Sequence, residues 1–206
     1  MSTQEDKTIK YYDEHAEEWA ASHSGLNEKS FWNIEMERFH KLLPQGKLIE
    51  IGSGTGRDAA DLIEMGYDYV GTDASDGFLK LARDRNPKSN FKKVRVQKLA
   101  ENFSENEFDG FWTAATLLHI PKGEAGESLE NIYTIVKNGG VGFISIKEGE
   151  GEIEDETSRL FSFYSQDEFS ELLKRHNFEI LEKSLRVDSK RTTWLIFLVR
   201  VNKQVN

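Results

Sequence analysis

The sequence predicts an α/β fold: a doubly wound, mostly parallel seven-stranded sheet with an N-terminal helical cap and an antiparallel C-terminal edge hairpin. Three observations predict it. From residue 47 onward, short apolar runs alternate with segments of helical period, the pattern of a parallel sheet covered on both faces. Glycines at positions 52, 54 and 56 form a turn between the first apolar run and the first core helix. Two closing apolar runs are joined by the turn-like Asp188-Ser189-Lys190, as in a hairpin.

Residues 5–22 and 29–43 read as helices; Trp32, Ile34, Met36, Phe39, Leu42 and Leu43 give the second an apolar stripe, and Pro44-Gln45-Gly46 ends it. Lys47–Ile51 is the first strand and Arg57–Met65 the helix behind it. Tyr67–Thr72 is a strand, and Asp76–Arg85 a helix with Ser75 as its N-cap. Strands follow at Phe91–Val96, Phe108–Ala114 and Gly140–Ile146, with helices at Glu124–Lys137 and Ser165–His176. Phe178–Val187 and Thr192–Val201 close the sheet. Only three prolines occur, each where an element stops or starts, and no repeat or linker divides the chain. The expectation is one domain over 1–206, with a cap at 1–44 and the α/β core at 45–206.

A chain of 206 residues can bury a sizeable core. It carries 27 Lys and Arg against 36 Asp and Glu, a formal charge of -9, which argues against broad contact with nucleic acid or anionic membrane. The basic residues Lys88, Lys92, Lys93, Arg95 and Lys98 read as the solvated flank of a strand. Without cysteine there is no disulfide, thiolate metal site or cysteine nucleophile. No metal site is expected either, because the five histidines are scattered. The polar start and the lack of a long apolar run lead to the expectation of a cytoplasmic protein with no membrane span, monomeric or homodimeric.

In a sheet of this type the ligand lies beyond the carboxyl ends of the strands, beside the first one. The turn there reads Glu50-x-Gly52-x-Gly54-x-Gly56. The dinucleotide fingerprint G-x-G-x-x-G would need glycine at 57, which is Arg57. Glu50 matters more, since a carboxylate beside a pyrophosphate sets like charges together in a partly dry site. A ligand bearing a sulfonium and an ammonium group fits instead. S-Adenosylmethionine has both, and its carboxylate can meet N–H groups at the start of the following helix. Two roles suit Glu50, facing the ligand or hydrogen-bonding the turn. Asp73 ends the second strand 21 residues after Gly52, where an acid accepts both hydroxyls of a ribose. Capping the next helix is the other role open to it, but Ser75 or Asp76 suits that better.

These residues resemble the class I S-adenosylmethionine-dependent methyltransferases, with their Rossmann-like fold. Glu50-Ile51-Gly52-Ser53-Gly54-Thr55-Gly56 is similar to the family's first motif and Thr72-Asp73-Ala74-Ser75 to its second. Phe108-Asp109-Gly110-Phe111 resembles the fourth-strand motif, with Leu117-Leu118-His119-Ile120-Pro121 after it. Asn138-Gly139-Gly140 resembles the turn opening the fifth strand, and His176-Asn177-Phe178-Glu179-Ile180 the start of the sixth, with Asn177 replacing a glycine. The likeness covers roughly residues 45–200. It implies S-adenosylmethionine as cofactor, with Gly52, Ser53, Gly54, Gly56, Asp73 and Ala74 around it and Thr113 and Ala114 offering carbonyls to its ammonium group. Many members carry an acid and a small residue after the third strand, beside the adenine. Aligning Ala100-Glu101 with that motif puts Leu99 where the acid stands, so that Leu99 packs on the ring and the Ala100 backbone reads its edge.

The resemblance places the acceptor between the ends of strands 4 and 5 and the N-terminal helix. On that helix Tyr12 either lids the sulfonium through cation–π attraction or packs the cap onto the core; Trp19 and Trp32 read as core. His119 is the candidate general base, a role needed only when the nucleophile is protonated, and a structural histidine is the other reading. The acid-rich segment 147–156 with two glycines reads as a mobile loop suited to a cationic acceptor, or as solvated surface. The expected activity is methyl transfer to a small-molecule acceptor. A non-catalytic module binding S-adenosylmethionine or S-adenosylhomocysteine is the alternative, and an NAD-dependent oxidoreductase, opposed by Glu50 and Arg57, a third.

Overall fold

The computed structural model describes residues 3–23 and 31–203. Helices α1 (Gln4–Glu14) and α2 (Ala16–His23) come first, separated by a break at His15 where one helix was expected. A capping box starts α1: Thr3 Oγ1 accepts from Asp6 N–H while Asp6 reaches back to Thr3 N–H. Helix α3 (Asn33–Leu42) follows; residues 29 and 30 of the expected second helix lie outside the described residues.

The core then alternates. Strand β1 (Lys47–Ile51) leads to α4 (Arg57–Glu64), β2 (Asp68–Asp73) to α5 (Asp76–Arg85), and β3 (Asn90–Lys93) to a 3₁₀ turn and α6 (Leu99–Asn102). After β4 (Phe108–Ala114) and another 3₁₀ turn come α7 (Lys122–Ile135) and β5 (Val136–Lys147). The chain closes with β6 (Glu152–Glu154), β7 (Leu160–Ser162), α8 (Gln166–Arg175), β8 (Phe178–Val187) and β9 (Thr193–Val201). The seven-stranded sheet has the order β3-β2-β1-β4-β5-β9-β8, parallel from β3 through β5, with β9 antiparallel to both neighbours.

Patterning explains why the last strand inserts while the one before it takes the edge. In β9, Leu195 to Val199 are all buried, as an interior strand requires. In β8, exposed and part-buried residues alternate, and the charged Glu179, Lys183 and Arg186 blunt an edge.

The sheet carries a core on each face. One is packed by α3, α4 and α5 through Met36, Phe39, Leu62 and Leu79, the other by α7 and α8 through Leu129, Ile132, Phe169 and Leu173. On the first face Trp112 stacks on Phe143 at 3.7 Å between ring centroids, and Phe39 meets Trp112 edge-on at 5.6 Å. Each such pair adds about 1 kcal/mol beyond burial. Thus α3, expected in the cap, is a sheet-covering helix because its apolar stripe faces the sheet. Among the described residues, α1 and α2 pack against α5 and lie beside the cavity at the ends of the strands.

Two local departures have physical causes. The segment expected as a mobile loop pairs instead into the β6–β7 hairpin, Glu152 opposite Ser162 and Glu154 opposite Leu160. Asn177, in the place of a glycine, adopts φ +63° after α8, the left-handed conformation that asparagine tolerates best after glycine.

Candidate active site

One cavity lies at the carboxyl ends of β1, β2 and β4 and is roofed by α1. Its floor is the glycine turn. Gly52 and Ser53 N–H both donate to Thr72 O at 2.8 Å, tying the turn to β2, and Gly54 N–H donates to Asp73 Oδ2 at 2.8 Å. Gly52, at φ +73°, has no room for a side chain: a Cβ there would lie 2.1 Å from Thr116 Oγ1. Gly54, at φ +53°, has nothing within 4 Å of the Cβ position, so the turn opens there onto the cavity. Gly56, also left-handed, precedes α4 with no side-chain cap, leaving first-turn amides of α4 without a side-chain acceptor. Ser53 Oγ is buried in the cavity wall with no hydrogen-bond partner.

Two acids face this floor. Glu50 is 2% exposed and accepts a hydrogen bond from Tyr69 O–H. Burial, then Asp58 and Asp73, push its carboxyl well above the usual range against the Tyr69 bond. It therefore both supports the local structure and faces the cavity. A cation there would favour its charged form. Asp73 Oδ2 holds Gly54 N–H and Oδ1 holds Ser75 N–H at 2.9 Å, leaving each oxygen a further lone pair. Burial raises its pKa to about 6 in spite of those bonds.

On the fourth strand the chain leaves β4 at Ala114 and turns through Ala115 at φ +54°, a conformation costing a non-glycine residue about 1 kcal/mol. Ser145 Oγ accepts Ala115 N–H at 2.9 Å and steadies it, and Thr116 O–H donates to Ile51 O at 3.1 Å beside Gly52. Ala114 lines the cavity. Thr113 does not: it is fully buried, its Oγ1 without a partner.

The roof is pinned from several sides. Asp13 Oδ1 accepts from Ser75 O–H at 2.7 Å and Gly77 N–H at 3.0 Å, Thr8 Oγ1 accepts Leu160 N–H at 2.9 Å, and Arg95 pairs with Asp6 at 2.5 Å. Tyr12 projects from α1 into the cavity, and its O–H donates to His119 Nε2 at 2.9 Å. Leu160 O can only accept, so His119 Nδ1, 2.7 Å away, carries the ring hydrogen and Nε2 the lone pair. Burial raises Tyr12 to about 12 and lowers His119 to about 4, so the pair is neutral phenol and neutral imidazole. The lone pair of His119 is thus already engaged, and Tyr12 must move before it can take a proton. Trp19 and Trp32, assigned to core, also line the cavity, Trp32 at only 3% exposure.

A pH dependence follows from His119. Its folded value lies below its ordinary 6.5, so its contribution to stability is complete above pH 6.5 and is lost as pH falls toward 4. Between pH 7 and pH 5, denaturant unfolding should show the wild type losing up to about 2 kcal/mol more than His119→Gln. Equal losses would contradict this.

The adenine-side expectation lands elsewhere. Leu99 is fully buried in the core, Ala100 is exposed with its N–H on Asn131 Oδ1 at 3.0 Å, and Glu101 is exposed and paired with Lys98 at 2.6 Å. None lines this cavity; Glu101 lines a neighbouring one together with Ile9, Ala74, Val94 and Arg95. The residues after β3 that do line it are Val94, Arg95 and Val96. Sequence reasoning also missed Thr8, Ile9 and Asp58; the last was legible as the first-turn acid of α4, where it accepts Trp112 Nε1–H at 3.2 Å. Among the described residues no group of three or more His, Asp or Glu is placed to hold a metal, and no helix is long and apolar enough to cross a membrane.

A family model described as a methyltransferase domain matches residues 49–144. A hybrid PKS-NRPS synthetase of Penicillium oxalicum is 34% identical over 115 residues, 51% of this chain; the chain covers 3% of that much longer protein. Burkholderia thailandensis 1,6-didemethyltoxoflavin-N1-methyltransferase, solved with 1,6-didemethyltoxoflavin and S-adenosylhomocysteine bound, superposes with a TM-score of 0.74 at 21% identity, over 95% of this chain and 91% of that one. The cyclase SpnF gives 0.76 at 16% identity, over 98% and 97%. DhpI, in complex with S-adenosylhomocysteine, gives 0.72 at 19%, over 97% and 98%. Likeness to structures at these identities establishes a shared fold. Residues 49–144 thus resemble a methyltransferase domain, on a fold shared with proteins solved with S-adenosylhomocysteine bound.

Proposed function

We propose that the protein transfers a methyl group from S-adenosylmethionine to a small-molecule acceptor in the cavity beneath α1. The observation that carries this reading is convergence. The turn after β1, Asp73 at the end of β2 and Ala114–Thr116 after β4 all face one cavity.

The residues fit the cofactor. The open space at Gly54 admits a ligand against the backbone, and the buried, unpartnered Ser53 Oγ offers it a hydrogen bond. Glu50 supplies negative potential for its cations, Asp73 retains lone pairs for a ribose, and the first-turn amides of α4 suit its carboxylate. When bound, the cofactor supplies an electrophilic methyl group. The chain's own part is to orient the partners and exclude water, which α1 and the aromatic walls do. His119 could accept an acceptor's proton at Nε2 once Tyr12 swings away.

S-Adenosylmethionine labelled on its methyl group, incubated with the protein and a broad acceptor panel, should give labelled product that Asp73→Ala does not form. Cofactor binding with no transfer to any member would favour the binding-module reading.

A further inference from the structure

Lys147 ends β5 on the carboxyl side of the parallel strands, the side on which the cavity also lies, without lining the cavity itself. Among the described residues its ammonium group has no hydrogen bond and no ion pair; it lies over the faces of Phe161 at 4.2 Å and Trp194 at 5.9 Å. Those two rings connect it to the site. Phe161 packs on His119 at 4.9 Å between centroids and Trp194 meets Trp32 edge-on at 5.5 Å, and both His119 and Trp32 line the cavity.

The acids that might have neutralised it are engaged elsewhere. Asp155 is held by Arg159, with Nη2 at 2.7 Å and Nε at 3.1 Å. Glu152 accepts from Lys122 N–H at 2.6 Å and Ser162 O–H at 3.0 Å, and Glu154 pairs with Lys7 at 3.3 Å. Asp188 takes the Trp194 indole N–H at 3.1 Å and two backbone N–H groups of its own turn. The acid-rich segment after β5 therefore offers little to a cationic acceptor: its carboxylates either staple the hairpin or face solvent.

We propose that Lys147 is the anion-recognising residue of the acceptor subsite, and that the acceptor is a small aromatic carboxylate. This rests on the methyl-transfer reading of the same cavity. The anion follows from the unpaired cation, and the flat body from Trp19 and Trp32 in the cavity wall, with Phe161 and Trp194 packed behind His119 and Trp32. A partly buried charge without a counterion is costly, and burial, followed by Arg159, already lowers the pKa of Lys147. An incoming carboxylate would reverse that penalty.

The test is calorimetric titration of the protein, saturated with S-adenosylhomocysteine, with matched pairs: benzoate and benzamide, 4-hydroxybenzoate and 4-hydroxybenzamide, 2-naphthoate and 2-naphthamide. The expected result is at least tenfold tighter binding of the acid within a pair. Lys147→Met should abolish that preference and Lys147→Arg keep it, both binding S-adenosylhomocysteine as the wild type does, which also reports that they fold. Equal binding of acid and amide, no binding of any acid, or a preference surviving in Lys147→Met would overturn the inference while leaving the cofactor reading intact. Failure of the wild type to bind S-adenosylhomocysteine would overturn both.

Discussion

Asp73→Ala is expected to weaken S-adenosylhomocysteine binding about a hundredfold. Two hydrogen bonds from ribose hydroxyls to a carboxylate, at about 1.5 kcal/mol each, account for that factor. Asp73 also holds Gly54 N–H and Ser75 N–H, one on each oxygen. Alanine therefore releases the turn as well as the ligand. Asparagine separates the two effects: its single oxygen can keep one of those N–H bonds, while its amide group turns a donor toward the other. Asp73→Asn should lose less stability than Asp73→Ala and nearly as much affinity. A pH dependence accompanies this. With its pKa raised to about 6, Asp73 is protonated in the free protein below that pH, so affinity should fall as pH drops through 6 and proton release should accompany binding there. Titrations in buffers of different ionisation enthalpy measure that release. An affinity loss under threefold in Asp73→Ala would remove Asp73 from the ligand site.

Paired substitutions of two glycines in the same turn should give opposite phenotypes. At Gly52 an alanine Cβ would collide with Thr116 Oγ1 at 2.1 Å and Cγ2 at 2.4 Å, and Thr116 is fixed by Ile51 O. Overpacking plus the positive φ should cost about 3 kcal/mol or more, lowering the melting temperature of Gly52→Ala by roughly 5–10 °C. At Gly54 the Cβ position is empty to 4 Å, so Gly54→Ala bears only the conformational cost of about 1 kcal/mol. Its larger relative Gly54→Val projects into the cavity and should abolish S-adenosylhomocysteine binding in a protein that still folds. Melting curves and titrations on the three variants decide the matter. A stable Gly52→Ala, or a Gly54→Val that binds normally, would show that the turn is not built as described.

The parts of the fold that were legible in the sequence are those specified locally. Strand β4 and helix α5 have the bounds that their apolar runs, Ser75 and the flanking polar residues dictate. Glu50, the glycine turn and Asp73 were legible because one turn of chain carries each of them. Features set by distant partners were not. The β6–β7 hairpin is written in a run of acids with no strand period and is ordered by pairing and by Asp155 folding onto Arg159. Leu99-Ala100-Glu101 reads well as a motif but coils into α6, where Leu99 gains more from the core than it could from a ligand edge. The sheet position of β9 needs both closing strands to be compared, since only their burial difference decides which one inserts. The isolation of Lys147 was invisible, because it depends on where each neighbouring carboxylate finds its own partner.

The most direct test of the account is calorimetric titration of the purified protein with S-adenosylhomocysteine, and separately with NADH. The turn of Glu50, the open face of Gly54 and the carboxylate of Asp73 predict a dissociation constant on the order of micromolar for the first ligand and no heat from the second. Binding of NADH, or of neither ligand, would contradict it.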